Sequence, residues 1–135
     1  MRCCVWFGLL LISPLALAAE GSWSSQSFGG VITQGKQVFK SRPVQPAVPL
    51  PAGAMARHLA WRITVDGPVP MGFQVQICGG GRCVRLPGLR GEMALPLGFP
   101  AGGPLWFEYF SAVRGTIAPA VTVLSNQVTV GYWVR

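Results

Sequence analysis

In Leu59-Ala60-Trp61-Arg62-Ile63-Thr64-Val65 every second residue is large and apolar, and Arg62 and Thr64 fall on the opposite face. Side chains repeat with period two only in extended chain, so this run marks a half-buried β-strand. The pattern recurs. Phe73, Val75 and Ile77 alternate with Gln74 and Gln76, and Val84 and Leu86 resume the apolar positions beyond Gly79-Gly80-Gly81-Arg82. Near the C-terminus Val128, Val130, Tyr132 and Val134 share one side. Val121 and Val123 share a face just before them, with Pro119 marking the turn into that strand. The 12 prolines and 18 glycines punctuate these runs, and the only helix-compatible stretch is one turn's worth of residues from Ala54 to Ala60. Many short strands broken by turn residues predict an all-β fold. The expected architecture is one small β-sandwich, or a partly open barrel, of about seven to nine mostly antiparallel strands.

Other segments are less regular. Gly30 to Thr33 and Gln37 to Lys40 read as two short strands joined in a hairpin around Gln34-Gly35-Lys36. Leu105 to Phe110 is apolar on both faces. It reads as a central strand covered on both sides, the alternative being one whose outer aromatics, Trp106 and Phe110, are offered to a partner. The proline-rich stretch Arg42 to Ala56 forbids a helix or central strand and predicts an extended surface crossover. Pro87 to Pro104 reads as a second loop-rich stretch.

Cys78 and Cys83 flank a loop made mostly of glycine, and what they do depends on the compartment. The first 18 residues answer that: Arg2 supplies a basic start, Val5 to Leu17 is a short apolar run, and Ala16-Leu17-Ala18 is an A-x-A cleavage site. We read 1–18 as a secretory signal peptide cleaved after Ala18, and 19–135 as a single periplasmic β-domain. Pro14 and the small residues after it argue against an uncleaved anchor. Cys3 and Cys4 leave with the peptide. Two cysteines then remain in an oxidising space, and a Cys78–Cys83 disulfide follows, closing the base of a β-hairpin. A zinc site needs about four ligands, and the chain has one histidine, His58. A redox motif would want two intervening residues at the start of a helix.

The charges are few and lopsided, with 11 basic and 4 acidic residues and a net charge of +7. Such a balance favours anionic surfaces or acidic partners, but the basic residues are spread singly, which argues against nucleic acid. No catalytic constellation is legible. His58 opens a strand without a motif, Asp66 precedes Gly67 as a turn former, and Glu92 and Glu108 sit in unlike contexts. Ser22, Ser24, Ser25 and Ser27 form a polar stretch without a nucleophile elbow. The expectation is therefore a protein that is not an enzyme and that takes no metal or small-molecule cofactor. What remains is surface. Arg62 and Arg85 on outward faces, Trp106, Phe110 and Trp133 are the candidate partner-binding residues, Trp61 being core by its alternation.

Four stretches together carry a resemblance to a family: Gly21-Ser22-Trp23, AWRITVDGPVPMGFQVQICGGGRCVRL from Ala60 to Leu86, TIAPAVTV from Thr116 to Val123, and SNQVTVGY from Ser125 to Tyr132. In that order they resemble the flagellar protein FlhE family. The resemblance implies a small periplasmic accessory protein of flagellar assembly and swarming. It would bind export-gate, rod or hook components, as a plug against proton leakage or as a chaperone. The chain departs from the family pattern in its longer Arg42 to Ala56 region and in the residues after Tyr132. The alternative reading, from the aromatic content and sandwich pattern alone, is a periplasmic carbohydrate- or peptidoglycan-binding module.

Overall fold

The structure, a computed structural model, describes residues 19–134. The signal-peptide reading and its cleavage after Ala18 lie outside the described residues. Nine strands are found there: β1 (Ala19–Ser27), β2 (Gly30–Gln34), β3 (Phe39–Lys40), β4 (Met55–Asp66), β5 (Phe73–Gly79), β6 (Arg82–Leu86), β7 (Arg90–Ala94), β8 (Trp106–Ser111) and β9 (Thr116–Val134). None of the described residues is helical. Two antiparallel sheets result. The first runs β1-β9-β4-β7, with β2 also on β9, and the second runs β3-β8-β5-β6. They do not close into a barrel, and their inner faces meet in one shared core.

The period-two reading holds where it was strongest. Leu59, Trp61 and Ile63 of β4 are buried, and Arg62 and Thr64 are exposed. Val75 and Ile77 of β5 face Val121, Val123, Val128 and Val130 of β9 within one hydrophobic cluster. Burying each such aliphatic side chain is worth about 1.5–3 kcal/mol. The β5–β6 hairpin pairs Cys78 with Cys83 directly, and the disulfide is formed. Gly80 and Gly81, both at positive φ, make the reversal that a side chain would strain.

Five local readings are corrected. Strands β2 and β3 do not form a hairpin: β2 pairs with β9 in the first sheet and β3 with β8 in the second. Their turn instead spends its amides on another loop, Gly35 donating to the Gly115 carbonyl and Lys36 to that of Ser111. The serine-rich N-terminal stretch is a nine-residue strand, because Trp23 points inward and Ser22 and Ser24 point out. Within Pro87 to Pro104 lies β7, which a neighbour supplies with partners through the pairs His58↔Ala94 to Arg62↔Arg90. Pro119 sits inside β9 and not before it. The register shifts between Thr116 and Val121, and the pairs to β4 begin at Thr122, so the missing N–H breaks no ladder bond. Residues 55–60 of the stretch that is helix-compatible in sequence form the first half of β4.

Residues 42–54 of the proline-rich crossover hold neither a helix nor a named strand, and they are pinned at Val44, whose backbone bonds Leu105 in both directions at 2.7 and 2.9 Å. Between the sheets, the buried Tyr109 hydroxyl of β8 donates to the Asn126 Oδ1 of β9. Burial pushes that phenol well above its ordinary pKa, outweighing the hydrogen bonds to Asn126 and Ser41, so Tyr109 stays neutral.

Candidate functional site

The five candidate surface residues divide between opposite faces of the sandwich. Arg62 and Trp133 lie on the outer face of the first sheet, and Arg85, Trp106 and Phe110 on that of the second. A single surface containing all five is therefore excluded by geometry.

Strand β8 explains the second group. Its burial alternates, with Phe107, Tyr109 and Ser111 inward and Trp106, Glu108 and Phe110 half-buried outward. The outer aromatics are thus presented rather than covered twice. Trp106 is held by two groups, one of them braced by a third. Its indole N–H donates to Glu108 Oε2 at 2.9 Å, Gln76 Nε2 donates to Glu108 Oε1 at 2.9 Å, and the Lys40 ammonium sits 4.6 Å from the ring centroid. Both carboxylate oxygens of Glu108 are engaged, and the cation lies over the ring's negative face. Beside this clamp, Gln74, Gln76, Arg85, Glu108 and Phe110 line a shallow hollow of about 140 Å³. Arg85 stands opposite Gln76 across the β5–β6 ladder.

The disulfide borders the same face. The sulfurs of Cys78 and Cys83 and the Glu108 carboxylate come within 4.8 Å of one another, a spacing that suits a metal ion. Both sulfurs are spent in the S–S bond, however, so no thiolate is offered. The disulfide instead locks the hairpin that carries Gln76 and Arg85.

The first sheet's outer face is different in kind. Ser24 and Thr129 share a hydrogen bond of 2.8 Å, and Gln127 donates to Gln26 at 3.1 Å. At its end Trp133 is 42% exposed with the Arg57 guanidinium 3.6 Å from its ring centroid. His58 is 3.4 Å from Glu92 across the β4–β7 ladder, both side chains being well exposed, so this pair contributes little.

The matched residues decide the family. The family profile described as "Flagellar protein FlhE" matches residues 29–133. The chain belongs to the FlhE family. It is similar to the flagellar protein FlhE of Salmonella typhimurium, 36% identical over 129 residues that cover 94% of this chain and 97% of that one. FlhE of Yersinia enterocolitica is 34% identical over 124 residues, covering 90% and 87%. A solved structure of FlhE superposes with a TM-score of 0.76 at 34% identity, covering 84% of this chain and 96% of the other.

Lys40, Gln76, Glu108 and Arg57 were not singled out in the sequence as surface residues. Glu108 had a legible signal, since it stands two residues from Trp106 and therefore on the same face of a strand. Gln76 had one too, since it falls opposite Val75 and Ile77 in their alternation, whereas Lys40 and Arg57 had none. Lys40 reaches Trp106, and Gln76 reaches Glu108, only because β3 and β5 flank β8, and Arg57 reaches Trp133 only through the β4–β9 register.

Proposed function

We propose that this FlhE-family chain is a non-enzymatic periplasmic accessory protein of flagellar assembly and swarming. It binds an export-gate, rod or hook component through the outer face of the β3-β8-β5-β6 sheet, as a plug against proton leakage or as a chaperone. The observation that carries the reading is the Trp106 clamp. An aromatic ring already fixed by Glu108, Gln76 and Lys40 loses little freedom when a partner covers it, and Trp and Arg are the residues most often dominant at interfaces. A photo-cross-linker placed at Phe110 in the periplasm should capture a flagellar protein, and one placed at Gln127 should not. Unchanged motility, swarming and proton leakage in a deletion strain, with no flagellar adduct from Phe110, would refute the proposal.

A second reading draws on the same face. A Trp and a Phe beside amide and guanidinium groups around a shallow hollow also suit a sugar chain, which stacks on rings and hydrogen-bonds at its edges. Retention on purified peptidoglycan that is lost in Trp106→Ala would favour this module over protein binding.

A further inference from the structure

Away from both sheet faces, three turns meet at one end of the sandwich: 35–38 between β2 and β3, 67–72 between β4 and β5, and 112–115 between β8 and β9. Backbone bonds stitch them together. The Gly35 amide donates to the Gly115 carbonyl at 2.7 Å, the Lys36 amide to that of Ser111 at 2.8 Å, and the Ala112 amide to that of Gly72 at 3.1 Å. At Gly35 a Cβ would collide with the Val113 carbonyl, so only glycine permits this approach. Lys36 takes a positive φ of 59° to complete its turn.

This tied end presents apolar side chains to solvent. Met71 is 82% exposed, Val113 50% and Val69 44%. Met71, Val113 and Arg114 border one hollow of about 230 Å³ at the start of β9. Lys36 and Arg114 are both exposed, and neither has a carboxylate within 4 Å; among the described residues the one ion pair is His58–Glu92. The nearest acid along the adjoining strand, Asp66, closes β4 three residues before Val69.

We propose that this three-turn tip docks on an anionic phospholipid surface. A flat face with a fixed ring suits a folded partner, whereas projecting thioether and aliphatic side chains accompanied by two cations, Lys36 and Arg114, suit a soft, negatively charged interface. The apolar side chains enter the headgroup boundary and the cations meet phosphates. The hydrogen bonds between turns hold the side chains side by side, so little order has to be created on contact. This reading is independent of which partner the Trp106 face takes.

The test is co-sedimentation of the protein, exported by its own N-terminal segment and recovered in soluble form, with two vesicle types. One contains phosphatidylglycerol in phosphatidylcholine, and the other phosphatidylcholine alone. Binding to the anionic vesicles only, weakening with salt, is expected. Met71→Asp should lower it about tenfold, and Lys36→Glu or Arg114→Glu about fivefold. Arg90→Glu, the same charge change on β7, should lower it less than about twofold. An environment-sensitive dye on Met71→Cys should shift to the blue with anionic vesicles. Absence of vesicle binding overturns the proposal, as does equal loss in Arg90→Glu and Met71→Asp, which would mark diffuse charge attraction. A protein partner lost in Met71→Asp without any vesicle binding would make the tip a protein-docking surface instead, and would equally overturn it.

Discussion

The two outer faces of this sandwich are built on the same pleat and differ in what they display. On the first sheet, short hydroxyl and amide side chains pair with one another across β1 and β9, as Ser24 does with Thr129 and Gln26 with Gln127. On the second, β8 puts Trp106, Glu108 and Phe110 in a row, and neighbouring strands add Gln76 and Lys40 to fix the indole. Self-satisfied polar groups leave little for a partner to gain. A clamped aromatic ring leaves its apolar area in place at low entropic cost. Both faces carry a tryptophan beside a cation, Trp133 with Arg57 and Trp106 with Lys40, so what separates them is the Glu108 carboxylate, braced by Gln76, that fixes the Trp106 indole N–H, and this is the ground for proposing the second face as the interaction surface.

The comparison can be broken at several strengths. The largest effect is expected within β8 itself. Phe107→Ala, on its inward side, should lower unfolding stability by about 3–5 kcal/mol, whereas Phe110→Ala, on its outward side, should cost less than about 1 kcal/mol. Urea midpoints of the two variants check this, and equal losses would mean that the outer face is covered after all. Next, Cys78→Ser should cost about 2 kcal/mol and loosen the β5–β6 hairpin without abolishing the fold, because the bridge closes only a short loop. Thiol titration of the oxidised wild-type protein should find neither cysteine free.

Smaller still, Glu108→Ala should cost about 1–2 kcal/mol by leaving the Trp106 and Gln76 donors without their acceptor, while Thr129→Ala should stay within about 0.5 kcal/mol. Similar values for both would erase the distinction between the faces. The smallest effect concerns the seam between the sheets. Tyr109 has a folded pKa raised by burial, so its contribution is intact below its unfolded pKa of about 10 and is lost as pH rises beyond that. Stability measured from neutral pH upward should begin to fall near pH 10, and Tyr109→Phe should remove that part of the decline.

Much of the fold was legible because alternation is a local signal. Leu59, Trp61, Ile63, Val75, Ile77, Val128 and Val130 declared their inward side from sequence, and each is buried. The Cys78–Cys83 bridge was expected from its spacing together with the reading of residues 1–18 as a signal peptide, and it is formed. The failures share a cause. Strand β7 has no apolar period of its own and exists because β4 offers an edge. Strand β1 hides its period behind serines that form poor strands alone. The turn at Gly35 and Lys36 looks like a hairpin, but its amides are claimed by a loop about 75 residues away. Of the candidate surface residues, Trp106 and Phe110 were placed together by their spacing. No sequence rule could say that Arg62 and Trp133 would stand on the opposite side of the molecule.

The amino-acid sequence alone determined that this chain would be built of strands, which side chains those strands bury and where sulfur would bridge them. These are properties of neighbours along the chain, set by a period of two and by residues that refuse a helix. The tertiary structure decided which strands share a sheet, that Trp106 would be clamped by residues from β3 and β5, and that three separate turns would join into one apolar, cationic tip. Those outcomes depend on pairing between segments distant in sequence, where backbone hydrogen bonds choose among partners that local composition cannot rank.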